Sequence, residues 1–381
     1  MKKLISENSK PWRSIILFGL IVVFSAGCSL SVGPKDSSKT PSSTETIDSS
    51  LFVSADKGDT WRSLTAIPST SGRPGSIANL DVNVMTMDPQ DSKAVYLASY
   101  DNGLFYTYDI ASGWNQAKSL VKATINDVKV DPKNKCVVYA ALANRVYRSI
   151  DCSRTFEQIY FDSNTSINVN TLVIDHYNTN NIYIGTSRGE IIKSIDRGSS
   201  WRTIQRLDDA ISHLLISPSD SRLIFVATAK NNIFSFNSNT VTNPANSADL
   251  DANFAVENWT DLNEILRGFD LGSNFKDIII NEKDGAIFIA SAKMILLSRD
   301  NGFTWENLSL LPPEKEAVIN SLAVNPHNSN EIYYATDTTF FRSADGGVTW
   351  TTKKLPTKRS GRELLIDFNN PSVLYLGTKK L

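Results

Sequence analysis

Short runs of apolar residues alternate with polar turn residues along the chain from Leu51 to the C-terminus. Runs such as Ala94-Val-Tyr-Leu-Ala98 and Ile182-Tyr-Ile-Gly185 are nearly continuous, which is typical of strands covered on both faces. The pattern repeats with a period near 45 residues. A period of about 40–50 residues built from short strands predicts the blades of a β-propeller.

One repeat shows the predicted order of strands within a unit. Residues 319–324 form the innermost strand, a turn follows at 325–330, and residues 331–336 form the second strand. The third strand covers 340–343, and a tight turn leads to the fourth strand at Trp350. The sequence therefore predicts four-stranded antiparallel units.

The two ends of the repeat region complement each other. The first unit begins with a third strand at 51–54, whereas the last unit has only a first and a second strand, at 363–367 and 373–377. Joined, they make one blade with two strands from each end, and this closure removes exposed sheet edges. We predict an all-β domain, residues 51–381, that forms a seven-bladed propeller of four-stranded antiparallel blades.

A turn motif, Ser-x-Asp-x-Gly-x-Thr-Trp, precedes the fourth strand of most units, and Ser343 to Trp350 is a clean copy. The Asp can accept backbone N–H groups, the Gly can adopt a positive φ, and the Trp can pack between units. Six of the seven Trp residues close such a copy. We assign structural roles to Asp56, Asp109, Asp151, Asp196, Asp300, Asp345, Trp61, Trp201, Trp305 and Trp350.

This motif resembles the Asp-box of the BNR-like repeats in bacterial neuraminidases, sortilin-type receptors, xyloglucanase-like glycosidases and photosystem II assembly-factor propellers. The resemblance covers Leu51 to the C-terminus and implies the propeller fold. It says little about function, because in those families the box is a turn that usually lies away from the working site.

The N-terminus has the features of a bacterial lipoprotein signal. Basic residues precede an apolar run at 15–24, which is too short for a comfortable transmembrane helix. It ends in Ser25-Ala-Gly-Cys28, which resembles a lipobox with Cys28 as the lipidated residue. We predict a signal peptide at 1–27, a flexible Ser/Thr/Pro-rich tether at 28–50, and attachment to a membrane of the bacterial cell envelope on the extracytoplasmic side.

Charge and histidine placement limit the chemistry. The 39 Lys and Arg nearly balance the 40 Asp and Glu, so nucleic acid is not an expected partner. The three histidines have neither triad nor metal-ligand spacing, and the sequence nominates no catalytic residue, metal or cofactor.

Cys136 and Cys152 form a candidate disulfide. Cys136 opens a second strand and Cys152 lies in the following turn motif, and a hairpin turning at Ala143-Asn144 would bring them together. An exported chain meets an oxidising environment, which favours the bond.

The sequence also suggests one face for binding. Loops between second and third strands and loops joining blades lie at the same end of a propeller. They carry Tyr100, Arg188, Lys230, Lys293, Arg267 and Arg362 among mixed charges. These residues could form a cationic rim or an ordinary solvated face.

We interpret the chain as a monomeric, membrane-tethered, non-catalytic propeller that binds a protein or glycan, or serves as an assembly scaffold. The alternative is a glycoside hydrolase, sialidase-like or xyloglucanase-like, with a carboxylate pair that no motif reveals.

The lipid anchor can be tested at Cys28. Cys28→Ala is expected to block acylation, because the thiol takes the lipid, so the precursor should accumulate or be released from the membrane. Mass spectrometry of the mature wild-type protein should show a diacylglyceryl cysteine at its N-terminus. Mature protein without lipid would contradict the anchor.

Overall fold

The computed structural model describes residues 46–70, 72–238, 256–272, 275–311 and 318–381. They belong to one compact unit, which begins at Thr46. The predicted signal peptide, Cys28 and most of the predicted tether lie outside these residues, as does most of a polar insertion near residue 250. No helix in the described ranges is long and apolar enough to span a membrane.

Strands dominate the described chain. The first four are β1 (Leu51–Ser54), β2 (Arg62–Ser63), β3 (Ala66–Ile67) and β4 (Gly75–Ser76). The next eight are β5 (Val82–Asp88), β6 (Asp91–Ser99), β7 (Leu104–Thr107), β8 (Asn115–Gln116), β9 (Asp127–Asp131), β10 (Asn134–Leu142), β11 (Arg145–Ser149) and β12 (Glu157–Phe161). They are followed by β13 (Val169–Ile174), β14 (Ile182–Thr186), β15 (Glu190–Ser194), β16 (Arg202–Arg206), β17 (Ile211–Ile216), β18 (Leu223–Thr228), β19 (Ile233–Ser238) and β20 (Val256–Asp261).

The C-terminal part continues the same order. It contains β21 (Asp277–Ile280), β22 (Ile287–Ala290), β23 (Ile295–Ser298), β24 (Glu306–Asn307), β25 (Ser321–Asn325), β26 (Asn328–Ala335), β27 (Thr339–Ser343), β28 (Thr351–Lys354), β29 (Ser360–Ile366) and β30 (Leu374–Lys379). The helical elements in the described ranges are α1 (Asn263–Leu266) and 3-10 turns at Ile110–Ser112 and Lys118–Leu120.

Twenty-eight of these strands form seven four-stranded antiparallel sheets, as predicted from the sequence, and β3 and β4 pair as a separate two-stranded sheet in the described chain. Blades 1 to 6 take four consecutive strands each, starting with β5, β9, β13, β17, β21 and β25. Blade 7 combines both ends of the domain in the order β2-β1-β30-β29, with Leu51 opposite Gly377 and Ser54 opposite Leu374. The predicted closure by N- and C-terminal strands in one blade is therefore confirmed.

The hydrophobic core lies between blades. Seven apolar clusters occur in the described chain, one at each interface between adjacent blades. At the interface of blades 5 and 6, for example, Phe288 and Leu297 pack with Leu322 and Tyr334. This arrangement explains the nearly continuous apolar runs, because both faces of a central strand meet a neighbouring blade.

Five of the predicted turn motifs share one hydrogen-bond network. At Asp345, the Ser343 hydroxyl donates to the carboxylate at 2.8 Å, and the Thr349 backbone N–H and hydroxyl donate to its two oxygens at 2.9 and 2.5 Å. Gly347 has a φ of 90° and donates its N–H to Ser343 Oγ. The same contacts recur at Asp56, Asp151, Asp196 and Asp300.

The Trp of these turns contacts the preceding blade. Trp350 Nε1 donates to the Ser309 carbonyl at 2.8 Å, and Trp201 Nε1 donates to Ile159 at 3.0 Å. Trp61 packs edge-on against Phe340 of β27. The turn therefore joins two blades as well as two strands.

The turn at Asp109 is built differently. Asp109 caps the 3-10 turn Ile110–Ser112, where it accepts the Ala111 N–H at 3.1 Å and the Ser112 hydroxyl at 2.9 Å. The following Trp114 is fully buried and donates its Nε1 to Leu64 of the segment between blades 7 and 1. The degenerate motif thus keeps the Asp and the Trp but changes the backbone between them.

The last residues of the predicted tether pack on the propeller. Ser49 and Ser50 are fully buried, and Ser50 Oγ donates to the Ile77 carbonyl at 2.6 Å. The Ile47 N–H donates to Pro356, and Asp48 forms an ion pair with Arg359 at 3.4 Å. The sequence analysis did not predict these contacts, because they are polar and form only when blade 7 closes.

The turn network can be tested at Asp345. Asp345→Ala should lower the urea midpoint of unfolding, because the N–H and hydroxyl groups of the turn lose their acceptor. Trp350→Ala should lower the free energy of unfolding further, by about 3 kcal/mol, because it removes an aromatic side chain between blades. The matched control is Asp59→Ala, an exposed carboxylate of another such turn whose partner is Lys353 on the surface. Equal midpoints for Asp345→Ala and Asp59→Ala would contradict this role.

Candidate functional site

The two ends of the propeller differ in what they carry. The upper face, as we define it, holds the hairpins between second and third strands and the connections between blades. The lower face holds the turns between first and second strands and the Asp-containing turns. The six residues predicted as a binding face lie at the upper end, but the structure divides them into separate groups.

Some of the predicted cations are neutralised by neighbouring carboxylates. Arg188 lies 2.9 Å from Asp162 and 2.6 Å from Glu190, and Glu190 also contacts Arg206. Lys293 pairs with Asp270 at 2.7 Å. Arg359, a further cation in the connection between blades 6 and 7, is buried. It bonds Thr378 at 3.0 Å and Asp81 at 2.6 Å. A continuous cationic rim is therefore not formed.

Lys230 and Arg267 remain exposed and lie close together. They line one shallow pocket of about 310 Å³, together with Asn231, Phe269 and Asp270. Neither side chain has a carboxylate within 4.0 Å in the described part of the chain. This pocket is the part of the predicted face that remains open for binding.

Tyr100 and Arg362 meet at a different place, the upper mouth of the central channel. Lys379 Nζ lies 4.1 Å from the centre of the Tyr100 ring. Tyr100 and Arg362 both line a cavity of about 690 Å³, which is enclosed by the inner strands β5, β9, β13, β17, β21 and β29. This channel is the candidate site.

Two successive positions at the start of the inner strand line the channel in six of the seven blades, all except blade 6. In four blades the register shifts at this point, so the first of the two positions is an extra, bulged residue: Asn83, Asn170, Ser212 and Arg362. A bulge re-aims a side chain that strict alternation would send the other way. The sequence analysis assumed regular strands, and it therefore missed these positions as a set.

The first position connects neighbouring blades through asparagine. Asn83 Nδ2 donates to the Ile125 carbonyl at 2.8 Å, Asn126 donates to Val169 at 2.9 Å, and Asn170 donates to Ile211 at 2.9 Å. Each acceptor belongs to the next blade. In blades 5 and 7 the same position is occupied by cations, Lys276 and Arg362. The asparagine contacts are structural, whereas the cations add charge to the channel.

The second position connects blades through carboxylates, which we call the channel acids: Asp127, Asp277 and Glu363. Asp127 accepts the Leu172 N–H at 2.9 Å and Asp277 accepts that of Leu322 at 3.3 Å, and the Met85 N–H favours the ionised form of Glu363 by lowering its pKa. Each donor is again in the next blade. The channel acids occupy the same position in three inner strands, and this repetition is a signal in the sequence. It can be recognised only when the repeats are aligned with their bulged residues taken into account.

The enclosed channel shifts the protonation of its residues. Burial raises the pKa of Asp277, and burial together with the negative charge of Asp277 raises the pKa of Glu363. His213, at the second position of β17, has its pKa lowered to about 4 by burial, so its imidazole is neutral at pH 7. These side chains are partly exposed, but only to the narrow channel, where the charged forms are poorly solvated.

Cys136 and Cys152 are joined by a disulfide on the lower side of blade 2. The Cys152 N–H also donates to the Cys136 carbonyl at 3.1 Å. Leu142 and Arg145 are paired across the hairpin, so its turn lies at Ala143 and Asn144. No group of three metal-ligating side chains occurs in the described ranges. The disulfide is therefore a structural link and lies away from the channel.

Fold and site together define a seven-bladed β-propeller with a polar, charge-bearing channel. No protein-family model matches the chain, and no curated protein matches it. Among solved structures, the chain is similar to the GH74 xyloglucanase from Xanthomonas campestris, with a TM-score of 0.63 and 15% identity over 84% of this chain and 52% of that one. The chain thus spans about half the length of the xyloglucanase.

Two further structures have the same fold. YCF48 bound to a D1 peptide has a TM-score of 0.56 and 16% identity over 82% of this chain and 95% of that chain. An ancestral GH74 enzyme has a TM-score of 0.52 and 14% identity over 77% of this chain and 40% of that chain. At such identities the likeness establishes the fold alone.

The channel acids predict an unusual pH dependence of stability. The folded-state pKa of Glu363 lies above its usual 4.5, so between these two values the folded protein binds more protons than the unfolded chain. Stability should therefore fall as the pH rises from about 5 to 8. Glu363→Gln should flatten this slope in thermal unfolding measured across that range.

A turn aspartate provides the contrast. The pKa of Asp345 is lowered to about 2 by hydrogen bonds from the Thr349 hydroxyl and backbone and from Ser343. The contribution of Asp345 to stability is therefore present above about pH 4 and is lost as the pH falls towards 2. Asp345→Asn should therefore leave the slope between about pH 5 and 8 unchanged. A Glu363→Gln profile that kept the wild-type slope would show that Glu363 does not carry the effect.

Proposed function

We propose that this chain is a non-catalytic binding propeller of the bacterial cell envelope, tethered through a lipid on Cys28, which engages a protein partner with its upper face. The observation that carries this proposal is the use of the channel acids. Asp127 and Asp277 each accept a backbone N–H of the next blade, and the Met85 N–H of the next blade favours the ionised form of Glu363, so the first role of these acids is to hold the ring together.

A hydrolase would require a different arrangement. Glycosidases place two carboxylates on either side of the bond that is cut, in a cleft open to the sugar chain. Tyr100 and Phe275 are the only Phe, Tyr or Trp side chains among the described residues that line the channel. This supports a binding role over hydrolysis of a polysaccharide.

The upper face offers the binding surface. Lys230 and Arg267 are exposed beside the pocket of about 310 Å³. Cationic side chains without a carboxylate partner suit an acidic segment of a partner protein, because no internal ion pair has to be broken. YCF48, a propeller of the same fold, was solved with a peptide bound, which supports peptide binding as a use of this architecture.

A glycoside hydrolase remains the second candidate, and one observation favours it. Raised pKa values in a cavity are a feature of catalytic acids, and the pKa values of Asp277 and Glu363 are both raised. In that reading one would act as the acid and the other as the base or nucleophile. The GH74 xyloglucanase suggests xyloglucan as the first polysaccharide to assay.

The binding proposal is tested by site-specific photo-crosslinking in intact envelopes. A crosslinking residue at Lys230, on the upper face, should trap a discrete partner. The matched control is Lys135, an exposed lysine at the lower end of β10, which should not. Crosslinks from Lys135 alone, or equal products from both, would contradict the assignment of the upper face.

The partner should also respond to charge. Lys230→Glu combined with Arg267→Glu should weaken partner recovery about tenfold or more, whereas Lys135→Glu should have little effect. Release of reducing sugars from xyloglucan by the wild type, abolished by Glu363→Gln at unchanged stability, would instead establish the hydrolase.

A further inference from the structure

Among the five turns that share the Asp network, the turn of blade 2 lacks both the glycine and the tryptophan of the motif. It reads Ser149-Ile-Asp-Cys-Ser-Arg-Thr-Phe156. In the other four turns the residue two after the Asp is glycine, with a φ between 88° and 90°. In blade 2 it is Ser153, with a φ of 64°, and its N–H still donates to Ser149 Oγ at 2.9 Å. Blade 2 therefore forms the same turn with a residue that resists the left-handed conformation.

The packing around the turn is adapted to this serine. At the turn of blade 3, a Cβ on Gly198 would lie 2.4 Å from Ile159 of the preceding blade. Ile159 is the third residue after Phe156, and the third residue after the Trp of blade 1 is the smaller Ala117. Ser153 is 1% exposed, so its side chain is accommodated at the interface with blade 1. The serine fits sterically, but its backbone conformation remains unfavourable.

The tryptophan bond to the preceding blade is missing as well. In blades 3 and 6 the indole N–H of Trp201 and Trp350 donates to a carbonyl of the preceding blade, at 3.0 and 2.8 Å. Phe156 cannot replace this bond, because its ring has no N–H. Blade 1 instead contacts the turn through Tyr108, whose hydroxyl donates to the Cys152 carbonyl at 2.7 Å. The contact between the two blades at the lower rim thus depends on the backbone of the turn itself.

The disulfide is attached to this turn at its first left-handed residue, Cys152, which has a φ of 58°. The Cys152 N–H donates to the Cys136 carbonyl at 3.1 Å, and the equivalent bond in blade 3 runs from Arg197 to Asn180 at 3.0 Å. Of the five turns, that of blade 2 alone contains cysteine. A covalent link therefore reinforces a common hydrogen bond in the one turn that has lost both the glycine and the tryptophan.

We propose that Cys136 and Cys152 form a redox-sensitive lock, which holds the turn of blade 2 in its hydrogen-bonded conformation in place of the missing glycine and tryptophan. In the oxidised protein the covalent link limits the conformations open to Cys152 and Ser153. In the reduced protein only hydrogen bonds oppose the unfavourable backbone conformation, so the turn opens and its contact with Tyr108 is lost. The lock thus controls the lower edge of the interface between blades 1 and 2.

The chemical step is thiol–disulfide exchange. When the lock closes, the two thiols lose two protons and two electrons as the Sγ–Sγ bond forms, and a disulfide of another molecule takes them up and is split into two thiols. A dithiol reverses the step. Both cysteines are partly exposed, so a reagent can approach them from solvent. The lock does not involve the partner surface; the extracytoplasmic location proposed above would keep it closed in the cell, whereas its test needs only the purified protein.

The experiment is hydrogen exchange, read by mass spectrometry, on the oxidised mature protein and on the same protein reduced by a dithiol without denaturant. The backbone N–H groups of residues 152–155 are all hydrogen-bonded, so their protection reports on the turn. They should exchange at least tenfold faster after reduction. The control is the turn at Asp196, which has the same network without cysteine and should exchange equally in both states.

Three results would overturn the lock. They are unchanged exchange at residues 152–155 after reduction, an equal acceleration in the Asp196 turn, and a disulfide that the dithiol reduces only in denaturant. The second result would mean that reduction loosens the whole propeller, and the third that the disulfide is permanent.

Variants test the same lock without a reagent. Cys136→Ser combined with Cys152→Ser should show the fast exchange of the reduced protein. Adding Ser153→Gly should slow that exchange at least threefold, because glycine readily adopts the left-handed conformation. If the double variant fails to fold, Ser153→Gly alone, compared with the wild type after reduction, provides the same test. A double variant as protected as the oxidised wild type, or a glycine that restores no protection, would contradict the assigned role.

Discussion

The structure depends on closure of the ring through blade 7. Every blade buries both faces against neighbours, so each needs one on either side, and the pairing of β1 with β30 supplies the last of them. The polypeptide ends are thereby fixed into one sheet by main-chain hydrogen bonds. Even the buried serines before β1 follow from this pairing, because the Thr378 N–H donates to the Ser50 carbonyl at 2.8 Å. Without closure, blades 1 and 6 would each expose an apolar face.

Closure also creates the channel, and the channel needs polar residues for a physical reason. Six of the seven inner strands surround a cavity of about 690 Å³, and backbone groups at their ends need hydrogen-bond partners. Asparagines and the channel acids meet that need by bonding the next blade. The same residues therefore stabilise the ring and give the channel its charge.

The sequence predicted the architecture more completely than the site, for reasons that particular residues illustrate. Apolar runs, the turn motif and the complementary ends each depend on local pattern, so blade number, closure and the hairpin at Ala143 were accessible. Arg362 was identified as a loop cation, but its place in the channel depends on a bulge that no local pattern announces. Arg359 is a charged residue of a connection between blades and yet is buried, because Asp48 and Asp81 pair with it only once blade 7 has formed.

Deviations from the repeat are where a site can be recognised. Where a ring position holds asparagine, or an acid with its own lysine, the local structure accounts for it fully. Lys276, Asp277, Arg362 and Glu363 break the pattern in two blades that are not adjacent, and their side chains line one cavity. A fold that only needed to hold its ring together could have used asparagine and a self-paired acid in these blades as well. The unequal charge in the channel is thus not required by the architecture, and this makes it the feature to connect with function.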